Sequence, residues 1–179
     1  NPGIVNPGNS PTIQGTQEED DLKNFVSVVL ADTEDAWTEI FAENNMTYQK
    51  PTLVIFSGSV QSGCGTAGSS TGPFYCPADN KLYIDLSFYQ DLSQRFGAPG
   101  DFAMAYVIAH EVGHHVQTLL GISQQVQKIM SQVSQTEANK YLVMLELQAD
   151  YLAGVWANHA KGQGYLEEGD LEEALNAAN

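Results

Sequence analysis

Basic residues are scarce in this chain. Lys and Arg number 7 against 22 Asp and Glu in 179 residues, a formal net charge of −15. That balance argues against nucleic acid or anionic membrane surfaces as partners. Long apolar runs are missing too: nothing approaches the roughly 18 residues of a membrane span, and no signal-peptide pattern is visible. The chain begins at Asn1 rather than Met. The expectation is a piece of something longer, with any targeting or anchoring segment upstream. The glycine-rich residues 57–72 lack the Gly-Lys-Ser/Thr ending of a phosphate-binding loop, which excludes a nucleotide site of that kind.

Cysteine is down to Cys64 and Cys76. They form no Cys-x-x-Cys pair, so a thiolate zinc site is disfavoured. Their pairing would close the glycine-rich loop and stabilise the fold by about 3 kcal/mol at most. Two free thiols in a reducing compartment are the other reading. The disulfide is the expectation, because a floppy loop is where a staple helps most, and it would put the protein outside the reducing cytosol.

What is present reads as one domain with a real core. Residues 1–17 are rich in Pro, Gly and Asn without hydrophobic period, the signature of a flexible linker; residues 18–179 form the domain. Across residues 18–44, Leu22, Phe25, Val26, Val29, Trp37, Ile40 and Phe41 recur at helical steps. Thr52-Leu53-Val54-Ile55-Phe56 reads as a strand and residues 57–72 as a loop. Residues 74–76 and 81–86 flank Pro77-Ala78-Asp79-Asn80, a hairpin by its turn chemistry. Everything beyond Gly121 reads helical: a run capped by Ser123 with Val126, Ile129, Met130 and Val133 at core spacing, then a long helix over residues 136–160. A last helix starts at Asp170 with Glu173 in a capping box. The fold class expected is α+β, a small sheet of about three strands packed on a helical half.

The densest chemistry lies in residues 101–121, DFAMAYVIAHEVGHHVQTLLG. Asp101 follows Pro99-Gly100 as an N-cap, and Gly121 ends the helix. At about 3.6 residues per turn, Tyr106, His110, Gly113, His114 and Gln117 share one stripe, and Ile108, Val112, Val116 and Leu119 another. One face can be buried while the other meets a cleft. His110 and His114 then stand one turn apart with Glu111 between them, the arrangement of a zinc hydrolase with Glu111 as general base. His115 points off the ligand stripe and reads as structural.

Such a site needs a third ligand. On the later helix Glu146 and Asp150 fall at i and i+4, hence on one face. Small Ala149, Ala153, Gly154 and Ala157 would let that helix approach closely, and the apolar setting of Leu142, Val143, Leu147 and Trp156 suggests that it is largely buried.

AYVIAHEVGHHVQ, followed by ELQADYLAGVWANHA and preceded by GCGTAG and GPFYCPADNKLYIDLSFY, resembles the bacterial neutral zinc metallopeptidases, from about Lys23 to the end of the chain. The resemblance implies a zincin-like fold, a Zn²⁺ cofactor, a polypeptide substrate and an extracytoplasmic location, commonly with an N-terminal membrane anchor. By analogy with glutamate zincins it makes Glu146 the third ligand and Asp150 the acid that accepts the other ring N–H of His110. Tyr106, Tyr151 and His159 are the candidate oxyanion donors, and residues 81–86 the edge strand that would pair with substrate. One position departs from the pattern: Tyr151 follows Gln148-Ala149-Asp150 where the family commonly has Cys. Two other functions fit parts of the pattern, a proteolytically silent zinc-bearing interaction module and a zinc amide hydrolase acting on cell wall.

Overall fold

A computed structural model describes residues 17–68, 71–88 and 101–162. The first helix, α1 (Gln17–Glu43), opens on acidic residues that suit the positive end of its dipole. It buries Val26, Val29, Leu30, Thr33, Ala36, Trp37 and Phe41, the three- and four-residue rhythm of one helical face. Asn45 ends it in the left-handed region, φ 57°, and the Met46 N–H returns to the Phe41 carbonyl at 2.8 Å.

Five strands follow among the described residues: β1 (Thr52–Phe56), β2 (Ser59–Ser62), β3 (Gly65–Gly68), β4 (Phe74–Cys76) and β5 (Lys81–Asp85). β1, β5 and β4 make a mixed sheet in that order, β1 parallel and β4 antiparallel to β5. The central strand β5 is therefore the most buried, with Leu82, Tyr83, Ile84 and Asp85 all inside. This corrects the edge-strand reading of residues 81–86: parallel pairing with β1 fills the second side of β5. The strand left at an edge beside the helices is β4. Residues 57–72 are also more than a loop, because β2 and β3 pair antiparallel as a hairpin.

Two ties bind that hairpin to the sheet. Cys64 and Cys76 form a disulfide, with Cα atoms 5.8 Å apart. The Asp79 carboxylate accepts from the Gly63 N–H at 2.8 Å and from the Tyr83 hydroxyl at 2.7 Å. A glycine-rich hairpin buries little of its own, so these cross-links hold it in place.

Among the described residues, α2 (Asp101–Leu119), α3 (Ile122–Met130) and α4 (Gln135–Gly162) join α1 in the helical half. On α2, Ile108, Val112 and Val116 are buried as their period predicts, with Leu119 packed partly buried against the same core. Gly121, at φ 75°, closes α2 in the left-handed conformation that glycine tolerates. It also stands at the N-cap of α3, the place expected for Ser123. None of α3 is buried, so Val126, Ile129 and Met130 do not form the expected core.

Helix α4 packs on α2 through small residues. Ala149, Ala153, Ala157 and Ala160 are buried, and a Cβ added at Gly113 of α2 would lie 2.9 Å from the Ala149 carbonyl oxygen. Trp156 stacks on Phe102 and donates its indole N–H to Asp32 of α1 at 2.7 Å, so all three long helices share one core. The expectation that α4 is largely buried holds for this side alone. Leu142, Val143, Met144, Leu147 and Tyr151 are exposed.

The architecture is the expected α+β class, a three-stranded mixed sheet against a helical half. Among the described residues no helix is long and apolar enough to cross a membrane. Residues 1–16 of the expected linker, the helix starting at Asp170 and the Asp101 side chain lie outside what is described, and Gln17 already belongs to α1.

Candidate metal centre

Helical spacing brings the two histidines of α2 face to edge, ring centroids 4.9 Å apart. The close approach of α4 at Gly113 and Ala149 carries Glu146 to them. The Glu146 Oε2 lies 3.3 Å from the His110 Nε2 and 3.5 Å from the His114 Nε2. One ligand atom from each of the three residues falls within a 4.8 Å span.

The outer ring nitrogens are also engaged. The His110 Nδ1 meets the Asp150 Oδ1 at 2.8 Å, and the His114 Nδ1 meets the Gln117 Oε1 at 2.9 Å. A carboxylate and an amide oxygen can only accept, so each Nδ1 carries a proton, the tautomer in which a neutral imidazole has its Nε2 lone pair toward Glu146.

This donor set fits zinc. Ligand atoms about 2.0–2.1 Å from a tetrahedral ion sit about 3.3 Å from one another, close to the two separations measured to Glu146. The cluster is open to water: the side chains of His110 and His114 are 18% and 21% exposed and that of Glu146 is 59% exposed. A catalytic site needs such an opening, whereas a structural zinc site is closed by its protein ligands.

Glu111 lies between the histidines in sequence but takes no part in the cluster. Its Oε2 accepts the backbone N–H of Tyr75, on β4, at 2.8 Å. Burial pushes its carboxyl up from the ordinary glutamate value, while His114, His110 and the Tyr75 N–H pull it down.

The family described as "Putative neutral zinc metallopeptidase" matches residues 6–179. The chain belongs to this family. It is similar to the uncharacterized protein YpfJ of Escherichia coli, 56% identical over 160 residues that make up 89% of this chain and 56% of that protein. An uncharacterized protein of Mycobacterium tuberculosis is 41% identical over 169 residues, 88% of this chain and 56% of its own. The chain thus spans about half the length of the curated relatives it matches. No solved structure matches it.

For this member of the metallopeptidase family the three oxyanion candidates end up in different places. The Tyr106 hydroxyl donates to the Asp150 carbonyl at 3.0 Å, which holds it at the α2–α4 seam beside the cluster. Tyr151 is exposed on the outer side of α4. His159 faces Glu39 of α1 at 3.7 Å. It stands thirteen residues beyond Glu146, about 20 Å along the helix, and is not brought to the cluster.

His115 is 1% exposed. Its Nε2 donates to the Gln49 carbonyl and its Nδ1 meets the Tyr75 hydroxyl at 3.0 Å, with burial pushing its pKa down. It therefore pins β4, whose Tyr75 N–H meets Glu111, to the back of α2.

Two groups at the site were missed by sequence reasoning. Gln117 was visible on the ligand stripe, three residues after His114, but its amide was not assigned to the ring. The Tyr75 N–H is a backbone atom and leaves no signal in residue identity.

Proposed function

We propose that this protein hydrolyses peptide bonds in proteins or peptides, with zinc held by His110, His114 and Glu146 and with Glu111 as general base. The observation carrying this reading is the convergence of three ligand atoms within 4.8 Å, next to a partly buried carboxylate that is not among them. When bound, zinc would polarise the scissile carbonyl and bring a water's pKa toward about 7. Asp150 and Gln117 hold the two imidazoles in the ligating tautomer. Glu111 takes the proton of the attacking water and returns it to the leaving amine. The Tyr75 N–H holds the carboxylate through Oε2. Of the three hydroxyl and imidazole candidates, Tyr106 alone is held beside the cluster, and it would have to turn its one O–H from the Asp150 carbonyl to donate to an oxyanion.

The disulfide supports work outside the reducing cytosol, in the periplasm, at the cell surface or in secretion. The substrate of the whole protein, and an N-terminal membrane anchor, belong to the same proposal.

The test is hydrolysis of casein and of a peptide library, with and without chelator, beside Glu111→Gln. The variant is expected to keep one zinc per chain while kcat falls about 10²–10⁴-fold. Unchanged turnover would sink the mechanism. Bound zinc with no hydrolysis of any substrate would instead make the centre part of an interaction module, and cleavage of cell-wall amides alone would make the protein an amide hydrolase.

A further inference from the structure

Gln117 is 0% exposed, and both ends of its amide are used. The Nε2 donates to the Leu145 carbonyl at 2.8 Å and to the Gln148 Oε1 at 3.0 Å, both on α4. The Oε1 faces the His114 Nδ1 at 2.9 Å. A backbone carbonyl only accepts, so the Leu145 contact fixes which end of the amide is nitrogen. That in turn makes the Gln117 Oε1 the acceptor of the His114 Nδ1–H and leaves the lone pair of the neutral ring's Nε2, on His114, for a metal.

The α4 contacts have a second consequence. Leu145 and Gln148 bracket Glu146, whose side chain is 59% exposed and meets the two imidazoles. An exposed glutamate has many rotamers, so its place depends on where its own turn of backbone is held. Gln117 holds that turn. The two histidines are therefore served differently. His110 has a carboxylate that reaches back from α4, whereas His114 has an amide on its own helix that reaches across to α4.

We propose that Gln117 is a positioning residue that sets two metal ligands at once: it fixes the His114 tautomer and holds the α4 turn carrying Glu146. This rests on the reading of His110, His114 and Glu146 as metal ligands. A buried amide that only satisfied the helix seam would stabilise the fold without tuning the metal.

The experiment measures zinc affinity by chelator competition, the visible spectrum of the cobalt-substituted protein and the thermal midpoint of the metal-free protein, for the parent and two variants. Gln117→Met has similar volume and loses every bond. It is expected to weaken zinc binding about 10–100-fold, the usual cost of losing a group that orients a ligand, and to change the cobalt spectrum. Gln117→Glu keeps an acceptor for His114 but loses both donors to α4. It is expected to weaken zinc as well, despite being the stronger acceptor.

If Gln117→Met lowers the thermal midpoint yet keeps the parent's affinity and cobalt spectrum, Gln117 is a structural amide and the proposal falls. If Gln117→Glu binds zinc as tightly as the parent, the Glu146 half falls. Should Gln117→Met not fold, Gln148→Ala removes one α4 anchor at a partly exposed site. A few-fold loss of affinity supports the proposal there, and parent affinity overturns it. A parent that binds no zinc would count against the metal centre itself, not against the role of Gln117 within it.

Discussion

The two sides of α4 differ in a way that its hydrophobicity conceals. Toward α2 it presents Ala149, Ala153, Ala157 and Ala160, all buried; away from α2 it presents Val143, Met144, Leu147 and Tyr151, which stand 56–70% exposed. Apart from buried Trp156 and partly buried Leu152 and Val155, the larger apolar residues are the ones in water, while the alanines are all inside. What the seam requires is proximity: Gly113 has no Cβ where one would come within 2.9 Å of the Ala149 oxygen. Glu146 and Asp150 lie at the border between the two sides, and only a backbone this close to α2 brings their short side chains to His110 and His114.

The contrast breaks most completely at that border. Glu146→Ala leaves both helices packed but removes the carboxylate proposed as the third ligand. Its zinc affinity should fall by more than the roughly 100-fold that bounds the loss of an orienting group, and peptidase activity should disappear with the metal. Chelator competition and metal analysis of the purified variant check it; one tightly held zinc per chain would remove Glu146 from the ligand set. A second break comes from inside the seam. Gly113→Ala forces α2 and α4 apart, at a cost of about 1–3 kcal/mol for overpacking a close contact. Urea unfolding should show that loss, and zinc affinity should drop with it, because the displaced α4 carries Glu146 away from the histidines. Parent-like stability and affinity would mean that the seam yields without moving the ligands.

The helices and the grouping of His110, His114 and Glu146 were legible in the sequence because each rests on spacing. The four-residue step from His110 to His114 and that from Glu146 to Asp150 are properties of a helix surface. So is the buried stripe of Ile108, Val112 and Val116. The strand order was not legible, since whether β5 lies at the centre depends on its parallel pairing with the distant β1. Nor was the β2–β3 hairpin, where Gly, Ser and Thr around a single Val60 give little alternation. The partners of Glu111 and Gln117 include backbone groups of Tyr75 and Leu145, and any residue there except proline would supply the Tyr75 N–H. On α4, apolar residues occur all round the helix, so periodicity could not say which side was inside. Alanines next to a glycine on the partner helix were the better guide.

The smallest effect sharpens the comparison. Leu147→Gln and Ala149→Gln put the same side chain two residues apart, on opposite sides of α4. Leu147 is already 62% exposed, so little burial is lost and stability should move by no more than about 0.5 kcal/mol. Ala149 is fully buried against Gly113, so the same amide has neither room nor water there, and the loss should be several times larger. Denaturant unfolding of the metal-free pair compares them directly, free of any contribution from the ligands. If Leu147→Gln proved the more destabilising, the apolar outer side of α4 would be contributing to the fold. Proximity of the small residues would then no longer explain how the two helices bring Glu146 to the histidines.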